Sequence, residues 1–155
     1  MSNPITGIST EQPKVFIRPI PSDAVLITKA YTGIQKYVEE LAAMSKGAYT
    51  APYVHYELCH GIAWLNLVFA DKEETKFVGY YIIKRLPDTI HIWQAYVVSE
   101  YRNSPLTDEA YKLIEDEAKK IGYKKIVFTS PREGWEVAAK RYGFETGLTE
   151  FIKQL

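Results

Sequence analysis

Residues 90–144 run strand, loop, helix, strand, helix, and that order constrains the fold more than any other feature of the chain. Ile90 to Val98 alternates as a central strand. Leu106, Ala110, Leu113, Ile114, Ala118 and Ile121 then recur at helical spacing, the pattern of a helix with one apolar face. Ser104-Pro105 supplies an N-cap followed by proline at the first helical position, and Gly122 ends the helix. Lys125 to Phe128 reads as a buried strand, Gly134 to Arg141 as a short helix, and Tyr142-Gly143-Phe144 closes the unit.

The rest of the chain supplies further elements. Val15 to Ile20 is a short strand ended by Pro21. Ser22 or Asp23 caps a helix carrying Ile27, Tyr31, Ile34, Val38 and Leu41, with Gly33 as a point of interruption. Gly47 and Pro52 bracket a loop. Tyr53 to Trp64 is a second short helix, Leu65 to Ala70 a strand, and residues 71–76 a charged connection. Phe77 to Leu86 is a strand, Pro87-Asp88-Thr89 a turn, and Phe144 to Ile152 a last strand. The order β-α-α-β-β-β-α-β-α-β predicts an α/β (α+β) domain over residues 15–155. Its central sheet is mixed and mostly antiparallel, with helices on both faces. Residues 1–14 are polar and read as an N-terminal arm.

Composition narrows the function classes. The 155 residues are enough for one domain with a substantial core. Lys plus Arg and Asp plus Glu both number 19. This balance gives no electrostatic reason to expect nucleic acid or a membrane surface as partner. It favours self-association instead, as a homo-oligomer or among protein partners in an assembly. The 12 tyrosines suit a core of large aromatics or a contact surface. Cys59 is the single cysteine, so a disulfide framework is excluded and a reducing, cytoplasmic setting is expected. The opening residues have no basic patch followed by an apolar run, and no apolar stretch reaches spanning length.

Val97-Val98-Ser99-Glu100-Tyr101-Arg102-Asn103-Ser104-Pro105-Leu106-Thr107 resembles the V-x-P-E-Y-R-G-K-G-I-G passage of the GNAT superfamily of N-acetyltransferases. Val97, Glu100, Tyr101 and Arg102 match in place. Residues 118–126, from Ala118 to Ile126, resemble the family's A-K-x-x-G-x-K-x-I passage, and Gly143-Phe144 stands at its Gly-Phe. The resemblance covers roughly residues 77–155. It implies a GNAT fold, acetyl-CoA or CoA as cofactor, and no metal. Divergent GNAT-like proteins of tailed phages, some virion-associated, are the members this chain resembles.

The resemblance also implies a site. Backbone N–H groups at the start of the long helix would face the CoA pyrophosphate, which assigns cofactor binding to Val97, Val98, Arg102, Asn103, Ser104, Leu106 and Thr107. Two glycine positions of the family turn are occupied by Pro105 and Thr107. Proline has no N–H to donate, and one lost charge-assisted donor costs roughly 1.5–3 kcal/mol. The strand position where many members carry Glu is Gln94, which takes no proton at neutral pH. The helix position of a common family Tyr is Ala139. Glu100, Tyr96 and His91 are the substitute acid–base candidates, and Tyr142 is read as packing.

Other clusters are weaker. His55 and Cys59 share a helix face, but two ligands are too few for structural zinc, and the expectation is a buried thiol beside histidines. Trp64, Trp93 and Trp135 lie in separate elements and suit core packing. Walker A, G-x-S-x-G and GxGxxG motifs are absent from the sequence. Two readings stand: a non-catalytic interaction or structural module on a GNAT fold, or an acetyl-CoA-dependent N-acetyltransferase acting on a primary amine.

Overall fold

The structure is a computed structural model that describes residues 14–131, 135–147, 151 and 153–155. Its elements are β1 (Phe16–Pro19), α1 (Ala24–Met44), α2 (Ala51–Cys59), β2 (Trp64–Phe69), β3 (Phe77–Leu86), β4 (Thr89–Val97), α3 (Pro105–Ile121), β5 (Lys125–Phe128) and α4 (Trp135–Arg141). The five strands lie in chain order. The first four pair antiparallel, and β5 joins β4 in parallel after the α3 crossover. The predicted α/β architecture is therefore the observed one.

Local chemistry explains the helix starts. Asp23 accepts from the Val25 and Leu26 N–H groups, both at 3.0 Å, satisfying donors that a helix N-terminus leaves open. Ile27, Tyr31, Ile34, Val38 and Leu41 are all buried, so the apolar stripe of α1 is its core face. Gly33 does not interrupt the helix, which continues through it. The expected second helix, Tyr53 to Trp64, is corrected: α2 begins at Ala51, capped by Thr50, and stops at Cys59. Gly61 follows with φ +69, a left-handed turn that breaks the helix and lets Trp64 open β2.

α1 and α2 cover one face of the sheet through Ile27, Val38, Leu58, Leu65, Tyr80 and Ile82. α3 covers the other, where Ala118 and Ile114 pack on Ile90 and Ile92. Gly122 ends α3 in the left-handed region at φ +104.

Of the expected last strand, Phe144 to Gly147 and Phe151 are outside any strand; residues 148–150 and 152 are outside the described residues. Glu145, Thr146 and Gly147 are exposed and offer no apolar side chain to bury. Most of the expected arm, residues 1–13, also lies outside the described residues. No helix among the described residues is long and apolar enough to cross a membrane.

Candidate functional site

β4 organises both faces of the candidate site. Ile83 faces Ile92 and Ile82 faces Gln94 across β3–β4, so Trp93 is an extra residue with no opposite number. Such a bulge bends the strand and shifts its alternation. Ile90 and Ile92 lie on the α3 side, while Tyr96 packs in the α1/α2 core. On its other edge β4 pairs with β5 only as far as Ile92–Phe128. Beyond that point the two parallel strands fork.

On the α3 side the fork borders a cavity of about 80 Å³. Ala95, Val97, Thr107, Ala110, Ala139 and Phe144 are among its walls, which are almost wholly apolar. The loop above it is a single 3-10 turn, Ser99–Tyr101, followed by Asn103 at φ +61. Asn tolerates that region better than most residues. Ser104 then caps α3, its Oγ accepting from Leu106 N–H at 3.1 Å, and its carbonyl accepts from Thr107 N–H at 3.1 Å. The Ser104 and Arg102 N–H groups donate to Tyr101 O and Ser99 O. Thr107 Oγ1 turns back to Tyr101 O at 3.4 Å. Among the described residues, only the Asn103 N–H of those between Arg102 and Thr107 has no acceptor, Pro105 having none to give.

The exposed Arg102 side chain folds back onto β4. Its Nε donates to Val97 O at 2.8 Å and an Nη to the Tyr96 hydroxyl at 3.1 Å. Tyr96 in turn donates to Glu40 of α1 at 2.6 Å, and its ring lies 4.6 Å from that of Tyr37. Tyr96 is thus buried between a carboxylate and a guanidinium. Glu40 was not visible as a site residue in the sequence. Tyr37 three residues before it and Leu41 one after it are the sole signals of an inward-leaning face.

The other acid–base candidates are scattered. Glu100 is exposed on the 3-10 turn. His91 is half-buried with Nε2 3.0 Å from Thr129 Oγ1. Burial and the Lys84 ammonium across the strand pair hold its pKa below the usual histidine value. Val97 and Val98 lead into the loop, partly buried. The structure therefore brings Tyr96 and Arg102 together and leaves His91 and Glu100 apart from them.

Tyr142 is a packing residue: its ring stacks on Tyr111 at 4.4 Å and its hydroxyl donates to Asp108 at 2.5 Å. Cys59 is half-buried and not fully enclosed as the sequence suggested, with Sγ 3.4 Å from His55 Nε2. His60, the C-cap of α2, stacks on exposed Tyr56.

The α1/α2 side holds a second cluster, around Trp93. The Lys84 ammonium sits 3.7 Å from the Trp93 ring centroid and 3.0 Å from Glu57 Oε1. Tyr49 and Tyr53 meet the same indole edge-on. Gln94 Oε1 accepts from the Tyr80 hydroxyl at 3.2 Å. Burial raises the Tyr49 phenol to about 12 and drives Tyr80 higher still, so both remain neutral donors. Sequence reasoning missed Glu57, although the Ala51, Val54, Leu58 spacing places it on the buried face of α2.

The sequence model of the Acetyltransferase (GNAT) family matches residues 35–144. The chain belongs to the GNAT acetyltransferase family. Solved structures agree on the fold. The Bacillus subtilis protein YycN superposes with a TM-score of 0.65 at 14% identity, over 92% of this chain and 99% of that one. The ribosomal-protein-alanine N-acetyltransferase of Brucella melitensis gives 0.65 at 12% identity, over 92% and 100%. Glucosamine-6-phosphate N-acetyltransferase of Arabidopsis thaliana gives 0.58 at 14%, over 91% and 98%. No curated protein matches the chain in sequence. GNAT proteins bind acetyl-CoA.

Proposed function

We propose that this GNAT-family chain is a binding module that does not transfer acetyl groups. The observation that carries the reading is the state of the α3 N-terminus. The Leu106 and Thr107 N–H groups are already taken by Ser104, Pro105 has none to give, and Arg102 is drawn onto Tyr96 and Val97 O. A pyrophosphate arriving there would have to displace the helix cap and break the Arg102 contacts. Each lost charge-assisted bond lowers affinity by roughly tenfold to a hundredfold. The residues present fit a self-satisfied helix start better than an anion cradle, so no acyl-transfer step is assigned. Gln94 and Ala139 in place of ionisable side chains point the same way. We extend the reading to a role in a protein assembly or homo-oligomer, a phage particle included, on the near-zero net charge and the exposed Tyr53 and Tyr56.

One observation favours acetyl transfer instead. The bulge at Trp93 and the fork after Ile92 leave the outer edge of β4 beyond that point unpaired by β5, and an extended ligand can add to such an edge. Calorimetric titration with acetyl-CoA and with CoA decides between the two, joined to a thiol-release assay over a panel of amines. The binding-module reading expects no heat at about millimolar ligand and no thiol release. Micromolar binding with release of CoA would replace it by the acetyltransferase reading. Under the binding-module reading, Ser104→Gly with Pro105→Gly and Thr107→Gly gains affinity for CoA by freeing donors.

A further inference from the structure

We propose that the outer edge of β5, with the groove it shares with α3, binds an acidic, extended segment of a partner protein as an added strand. The inference goes beyond the binding-module reading and does not depend on whether the chain transfers acetyl groups.

Among the described residues β5 is the last strand of the sheet and pairs with β4 alone. Lys125 and Thr129 direct their N–H groups inward, to Asp88 O and Ile92 O. Backbone groups alternate sides along a strand, so the N–H and C=O of Ile126 and Phe128 lie on the outer edge. Such a row of open groups is a template for another strand. None of the described residues after Phe144 pairs with it. Gln154 donates instead to Lys46 O, past the end of α1.

Side chains around the edge select the segment. A cavity of about 210 Å³ opens between β5 and α3. Ala118, Ile126 and Phe144 give it apolar surface, and the stacked rings of Tyr111 and Tyr142 add to it. Lys119, Lys124 and Lys125 also border it. Two acids are near. Glu115 is held by Lys119 and the Tyr111 hydroxyl, and Asp88 accepts from the Thr89 hydroxyl. Lys124 and Lys125 have no ion-pair partner among the described residues, so the edge carries positive charge that a partner's carboxylates would balance. Alternation puts Lys125 and exposed Val127 on the face opposite to Ile126 and Phe128. A segment alternating acidic and apolar residues fits both faces. A nucleic acid would satisfy the lysines and leave the strand edge unpaired. No residue from Val97 to Thr107 borders this cavity, so the surface is separate from the loop before α3.

The test follows backbone amide signals of the full-length protein by NMR while a short peptide alternating aspartate with valine is added. Controls are the same peptide with lysine for aspartate, the same peptide with proline for valine, and oligothymidylate. The expected result is a saturable shift of the Ile126 and Phe128 amides, with slowed hydrogen exchange at both. Affinity for the acidic peptide should exceed that for the lysine peptide by roughly tenfold or more and fall as salt rises. The proline peptide keeps the charge and loses N–H donors, and should bind roughly tenfold more weakly. Lys124→Glu with Lys125→Glu, checked for folding by circular dichroism, should lower affinity by a similar factor. Equal binding of the acidic and lysine peptides, of the acidic and proline peptides, or of the wild type and the Lys variant would overturn the proposal. No binding at about millimolar peptide, or oligothymidylate bound as tightly as the peptide, would do the same. Protection of the Ile126 and Phe128 amides before any peptide is added would also overturn it. The edge would then be held by the chain's own residues if the protein sediments as a monomer, or by a second copy if it sediments as a dimer. Acetyl transfer in the amine assay would replace the binding-module reading and leave this surface untouched.

Discussion

The Tyr96 hydroxyl donates to Glu40 Oε2 across 2.6 Å, and this bond ties the end of β4 to the C-terminal part of α1. The same oxygen accepts from Arg102 at 3.1 Å, so one phenol joins a helix, a strand and the loop that precedes α3. Tyr80 stacks on it from β3 with an interplanar angle of 4°.

Tyr96→Phe removes both bonds while keeping the ring and its packing. Hydrogen bonds to charged groups contribute about 1.5–3 kcal/mol each, and the Glu40 carboxylate that would lose one is half-buried. The expected outcome is a loss of about 2 kcal/mol or more in urea denaturation, with an unchanged m-value. An unaltered midpoint would mean that the network contributes nothing to stability.

Two glycines give opposite expectations. A Cβ on Gly79 would stand 1.9 Å from the Tyr96 carbonyl oxygen, a backbone atom that cannot swing away. Gly79→Ala must push β3 from β4 and should destabilise by about 1–3 kcal/mol or more. Gly33 lies in the exposed interior of α1 with nothing within 4 Å of its would-be Cβ. Gly33→Ala should stabilise by roughly 0.5–1 kcal/mol through helix propensity and a less free unfolded chain. Thermal denaturation of the two variants checks both signs, and equal shifts would refute the steric account of Gly79.

These residues also show what a sequence reading can and cannot reach. The α3 cap at Ser104, the stop at Gly122, β3 and the span of β5 were legible because each is set by local chemistry: capping, left-handed φ and apolar runs. The expectation that β5 is buried is corrected, since Lys125 and Val127 are exposed. The stripe of α1 was legible for the same reason, through its period. The bulge at Trp93 was not. Strict alternation from Ile90 would place Ile92, Gln94 and Tyr96 on one face, and a single extra residue moves the last two away from Ile92. The sequence contains nothing that distinguishes Trp93 from its neighbours as that residue. Glu40, Glu57 and Lys84 were hidden differently. Each gains its meaning from a partner 27 or 56 positions away, which no local pattern can reveal. The GNAT resemblance placed the loop correctly but said nothing of where Arg102 turns.

Ser104→Ala tests the loop itself. Loss of an N-cap costs about 0.5–2 kcal/mol, and here it also frees the Leu106 N–H for an outside anion. Stability should therefore fall while affinity for inorganic pyrophosphate rises, measured by denaturation and calorimetry on the same protein. A fall in stability with no gain for pyrophosphate would show that the cap is not what keeps anions away from α3.

The pH dependence of stability should carry a signature of His91. Its folded pKa lies below the ordinary 6.5, first because burial disfavours the imidazolium and second because Lys84 repels it. A lowered histidine pKa means that the unfolded chain binds more protons than the folded one between the two values. The slope of unfolding free energy against pH is then positive in that window. His91 thus costs nothing above the ordinary value, and stability is lost as pH falls from about 6.5 through the folded pKa. His91→Gln has no proton to take up, so its urea midpoint should decline less than the wild-type midpoint between about pH 7.5 and pH 5. Lys84→Met should show a smaller relief, since it removes the secondary cause and leaves burial in place. Parallel wild-type and His91→Gln curves across that range would rule out the buried, Lys84-facing environment assigned to the imidazole.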